Sequence, residues 1–150
     1  MPKTFRRRTN NAVSRKNRST TMSAFQKQIT IVFFEMLMMV KLFHWKTHSY
    51  ATHKATDELY TSLNEHIDTF IEVLLGKTGS RINLMENKTI KLMDLNSQEQ
   101  LKSKIMSLKG YLVGLDNNNA LKTMSNSDLF NIRDEILGDL NKFMYLLTFK

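Results

Sequence analysis

The chain contains no cysteine. Disulfide frameworks, zinc–thiolate sites and cysteine nucleophiles are therefore excluded, and the composition suits a reducing compartment. One proline and five glycines occur in 150 residues, and the proline stands at position 2. So few breakers favour long helices over many short strands. Uninterrupted apolar sequence is also scarce. Residues 29–43 are strongly apolar but include Glu35 and Lys41. A run of about fifteen residues falls short of the roughly 20 that span a bilayer. No hydrophobic signal segment stands at the amino end, so a soluble protein is expected.

Acidic residues are missing from positions 1–22. That stretch holds Lys3, Arg6, Arg7, Arg8, Arg15, Lys16 and Arg18, which supply +7 of the net +8. The rest carries 15 basic and 14 acidic residues and is near neutral. Residues 1–22 are rich in Asn, Ser and Thr and too poor in apolar side chains to order themselves, so they read as a disordered basic arm. Seven cations without acids suit a nucleic-acid or other polyanion partner, bound through phosphates. On an oligomer, several arms would act together. Two other uses stay open: an arm threading between protein subunits, and an Arg/Ser-rich organelle presequence.

The remaining residues, 23–150, suit one domain with a real core. Helix A is expected from about Ser23 to Lys46, apolar on most faces, as in a helix buried by neighbours or by another subunit. A short turn, Thr47-His48-Ser49, leads to helix B, expected from Ser49 to Leu75 and stopped at Gly76. Residues 77–97 form a connection with room for a short helix. Helix C is expected from Ser97 to Leu115, broken by Asp116-Asn117-Asn118-Asn119. Helix D is expected from Asn126 to Phe149, with Ser125 or Ser127 as cap. Two helices, a long connection and two more helices predict an all-α, four-helix bundle with one long crossover, a ferritin-like connectivity.

Helix B carries the chemistry. At about 100° per residue, with His53 at 0°, Asp57 falls near 40°, Asp68 near 60° and Glu72 near 100°. Leu59, Leu63, Ile67, Phe70 and Leu74 form the neighbouring apolar arc, and Glu58, Ser62, Glu65 and Thr69 are expected to face water. Imidazole and carboxylate together suit Fe(II), and carboxylates suit its ferric product. His53/Asp57 and Asp68/Glu72 are i,i+4 pairs, each converging on one spot. His53 and Asp68 are about 22 Å apart along the axis at roughly 1.5 Å per residue. One ion cannot touch both pairs of one chain. Two copies of helix B crossing antiparallel, with a twofold near Ser62 and Leu63, would join His53 and Asp57 to Asp68 and Glu72 of the other copy. The competing reading is a solvated helix face with a structural histidine.

The stretch Phe43 to Gly76 (FHWKTHSYATHKATDELYTSLNEHIDTFIEVLLG) resembles the Dps-family mini-ferritins. The resemblance rests on His44-Trp45, then His53, Asp57, Asp68 and Glu72, with the runs Asp57-Glu58-Leu59-Tyr60 and Glu65-His66-Ile67-Asp68-Thr69. It covers about 35 of 150 residues plus the helix layout. It implies hollow shells of twelve four-helix subunits that bind Fe(II) between subunits, oxidise it with peroxide or oxygen, store the product, and often bind DNA through basic tails. It implies iron ligands at His44, His53 and Asp57 of one subunit and Asp68 and Glu72 of its partner, with Trp45 near the site.

One departure stands out. The family spaces its histidines twelve apart, with a glycine in the turn, whereas His44 and His53 are nine apart without it. A turn about three residues short puts the reach of His44 in question, with His48 as the available substitute. The ExxH pattern of larger ferritins is absent, which argues against a site inside a single bundle. The sequence is also similar to small proteins of large DNA viruses. Two functions are therefore expected: an iron-oxidising, DNA-associated protein of the cytoplasm or nucleoid, or a non-enzymatic virion or DNA-packaging component with the same fold.

Overall fold

The computed structural model describes the backbone of residues 3–84, 86 and 89–149, with side chains from residue 21. The described residues form four helices: α1 (Lys3–Lys46), α2 (Tyr50–Thr78), α3 (Gln98–Gly114) and α4 (Ser127–Leu146). Two short 3-10 turns, Leu115–Asn117 and Leu121–Thr123, join α3 to α4. No strand occurs among the described residues.

Helix α1 starts twenty residues before the expected Ser23. Where the sequence suggests a disordered arm, the backbone continues as helix. No glycine or proline lies between Lys3 and Lys46 to stop it. The side chains of Lys3, Arg6, Arg7, Arg8, Arg15, Lys16 and Arg18 lie outside the described residues. By length and composition Thr21–Lys46 could cross a bilayer, with a mean hydropathy of 1.3, and half of its most apolar stretch is buried in the bundle.

Helix α2 begins at Ser49, whose Oγ accepts the Thr52 N–H. It runs through Gly76 and ends at Gly79, in the left-handed region at φ 61°, with the Gly79 N–H donated to the Leu75 carbonyl. Tertiary ties keep the last turn helical past Gly76. Gln26 Nε2 donates to Thr78 Oγ1 at 2.9 Å and Ser80 Oγ at 2.8 Å, and Lys77 Nζ meets Asp128 of α4 at 2.9 Å. The Lys77 hydrogen bond holds the Asp128 carboxyl below its ordinary range. Helix α3 starts where expected, capped by Ser97, whose Oγ accepts the Gln100 N–H. At α4 neither serine is the cap: Asn126 holds that position without a side-chain cap bond, its Nδ2 turned to the Leu121 carbonyl. Helix α4 ends at Leu146, three residues before Phe149.

Long-range contacts give the directions. His66 and Glu58 of α2 meet Asp139 and Lys142 of α4, so the pair is antiparallel. Gln98 reaches the Leu147 carbonyl and Arg133 the Leu112 carbonyl, so α3 and α4 are antiparallel. Phe33 packs edge-on to Phe70 at 5.4 Å, and Lys41 lies over Tyr60, so α1 and α2 are antiparallel too. Helices α2 and α3 therefore point the same way, and their connection must travel the length of the bundle. Lys27 binds Glu86 near one end of the buried part of α1, and Lys46 binds Asp94 and Asn96 at the other. No helix forms in this connection among the described residues. Its interior neighbour is one continuous core, with Ile29, Phe33, Met36, Leu63, Phe70, Leu74, Leu101, Ile105, Ile136 and Leu140 almost fully buried. Burial of this kind contributes about 1.5–3 kcal/mol per large apolar side chain.

Candidate functional site

The three-residue turn after α1 sets the geometry of the histidines. His44 stands in the last turn of α1 and His53 in the first turn of α2, and the turn folds one onto the other. Their rings stack at 3.9 Å between centroids, 23° from parallel. His44 Nδ1 lies 3.0 Å from the His53 carbonyl, and His53 Nδ1 lies 3.1 Å from the His44 carbonyl. A carbonyl can only accept, so each ring donates its Nδ1–H. Thr56 Oγ1, 3.2 Å from His44 Nδ1, donates its own proton to the Thr52 and His53 carbonyls, which closes the network from beneath. Thr56 is fully buried and His44 nearly so, while His53 is half-buried. The short turn therefore joins His44 to His53, and His48 is exposed in that turn.

Metal-ligating histidines are commonly oriented in this way, with one ring N–H held by a backbone carbonyl. Asp57 lies one turn beyond His53 and is exposed, as are Asp68 and Glu72 farther along the same stripe. The chain brings His44 and His53 together but not the two i,i+4 pairs. Among the described residues, no three His, Cys, Asp or Glu side chains of one chain converge to hold a metal.

Exposed apolar side chains and an apolar cleft adjoin this stripe. Trp45 is 69% exposed beside the histidines, with Lys41 Nζ 5.9 Å from its ring and 4.6 Å from that of Tyr60. At the other end, a cleft of about 430 Å³ opens between α1, α2 and the crossover, lined by Phe33, Phe34, Leu37, Ile67, Ile71 and Ile82. Asn64 and Asp68 are its polar members on α2.

Two features were not visible in the helix B pattern. Ser62, expected to face water, is half-buried against α4, whereas Glu58 is exposed as expected and lies 3.7 Å from Lys142. His66 donates to Asp139 at 2.7 Å and clasps α2 to α4. Its place near 220° on the wheel, beside Leu59, was the available signal that it faces a neighbouring helix.

No curated protein and no solved structure matches this chain. One family matches residues 44–147, which begin at His44 and take in α2, the crossover, α3 and all of α4. That match spans more than two-thirds of the sequence, and the chain belongs to this family of unknown function, DUF5856.

Proposed function

We propose that the chain is a subunit of a Dps-like assembly that binds and oxidises iron between twofold-related copies, and that its basic amino-terminal segment associates with DNA. The reciprocal His44–His53 clamp carries this reading. It fixes the orientation of two imidazoles through their Nδ1–H groups, one helical turn from the exposed carboxylate of Asp57. A four-helix bundle with one long crossover has the connectivity of the ferritin-like proteins, which supports the same reading.

Fe(II) is then a substrate. His44, His53 and Asp57 of one copy and Asp68 and Glu72 of the other supply borderline nitrogen and hard oxygen ligands. Carboxylates offset the added charge as iron loses an electron to peroxide or oxygen. Purified protein mixed with Fe(II) and peroxide should develop ferric absorbance faster than buffer. Asp57→Ala combined with Glu72→Ala, both on the exposed stripe, should abolish that gain while leaving the helical circular dichroism unchanged. Wild-type protein oxidising iron no faster than buffer would sink the enzymatic reading.

The exposed apolar face also suits a non-enzymatic structural protein of a virion or DNA-packaging assembly. Iron content of the purified protein, measured together with its mass in solution, separates the two.

A further inference from the structure

On α1, Phe34, Met38, Lys41 and Trp45 fall within about 60° of arc at ~100° per residue. Phe34, Met38 and Trp45 are all exposed. Exposed large apolar groups gathered on one face mark an interaction surface. This face holds a knob and a hole. The knob is Trp45, braced by Lys41, which Tyr60 holds in turn. The hole is the cleft of about 430 Å³ walled by Phe34, Leu37, Ile67, Ile71 and the crossover.

Their positions along the bundle are related. Lys41 stands level with Tyr60, Phe33 with Phe70 and Gln26 with Thr78. Continuing that register at equal rise, Trp45 stands level with about residue 56 of α2, and the cleft with about residue 68. These levels lie about six residues to either side of the Ser62–Leu63 step. A twofold there, lying over the seam of α1 and α2, carries the level of Trp45 onto the level of the cleft. The same rotation carries the histidine end of the stripe onto its carboxylate end. A surface complementary to itself in shape and in charge about one point fits a second copy of the same chain.

We propose that Trp45 of each copy inserts into the α1–α2–crossover cleft of the other, so that two indole anchors flank the two ligand sets. This rests on the twofold pairing of α2 put forward above and adds the residue that locks it. An indole buries about 150–250 Å² and is a favoured anchor at interfaces.

Trp45 is the only tryptophan, so its emission reports this contact alone. Full-length protein should weigh as a dimer or larger assembly by light scattering, with blue-shifted emission and protection from acrylamide. Trp45→Ala should weaken self-association on the order of tenfold or more. Ile71→Lys, which blocks the cleft but keeps the indole, should red-shift the emission and restore quenching. A dimer whose Trp45 is quenched as readily as free indole overturns the anchor and leaves the α2 pairing standing. A monomer at every concentration overturns both. A dimer with protected Trp45 and no iron oxidation supports the anchor and removes the enzymatic reading.

Discussion

Tyr111 on α3 has the only buried side-chain oxygen or nitrogen without a hydrogen-bond partner among the described residues. Burial pushes its pKa up to about 12 from an ordinary 10.0. A buried hydroxyl without a partner loses its water and gains nothing in return. Tyr111→Phe should therefore leave stability at neutral pH unchanged or raise it by about 1 kcal/mol. The pH dependence has a definite sign. The folded chain keeps this proton where the unfolded chain loses it, so the folded state weakens as pH rises from 10 towards 12. Urea melts of both proteins at neutral and alkaline pH should show their difference widening above pH 10. Equal alkaline slopes would refute the assignment to Tyr111. At this scale the residue types of the candidate site were legible on a helical wheel. The His44–His53 stack was not, because a wheel treats each helix alone and the stack is made by the turn between two of them.

Helix interiors were legible from apolar period, and so were the end of α1, the start of α2 and both ends of α3, but not the start of α1 or the end of α2. The end of α2 illustrates why: Gly76 and Gly79 both fit a C-cap, and contacts from Gln26 and Asp128, about fifty residues away in either direction, decide between them. The choice has opposite consequences at the two positions. Gly79 sits at φ 61°, so Gly79→Ala should cost about 1 kcal/mol through backbone strain alone. Gly76 is helical and exposed, and a Cβ there meets nothing within 4 Å. Gly76→Ala should stabilise by up to about 1 kcal/mol through helix propensity and a less flexible unfolded chain. Thermal denaturation of the two variants should move the midpoint in opposite directions. Were Gly76→Ala the destabilising one, the helix would end where the sequence first suggested. The crossover was legible only as a length of chain. Its path along α1 depends on Lys27 and Lys46, whose partners Glu86 and Asp94 are 59 and 48 residues away.

At the scale of the molecule, charge separates from fold. Seven of the eight net positive charges lie between Lys3 and Arg18, ahead of the packed part of α1. Binding to DNA through such a segment is driven by counterion release, so the logarithm of affinity falls with the logarithm of salt by about 0.9 per phosphate neutralised. Seven contacts per chain would give a slope near −6 in total. Arg6→Gln, Arg7→Gln and Arg8→Gln together should reduce the slope by about 2.7 and weaken binding equally on unrelated sequences, since phosphate contacts carry no base information. Fluorescence anisotropy of labelled duplexes across a salt series measures both quantities. The triple variant should keep its iron oxidation, because the candidate ligands begin at His44 on the far end of α1. A slope unchanged by the triple variant would move the nucleic-acid contact off the amino-terminal segment. Loss of oxidation in the same variant would tie that segment to assembly rather than to DNA.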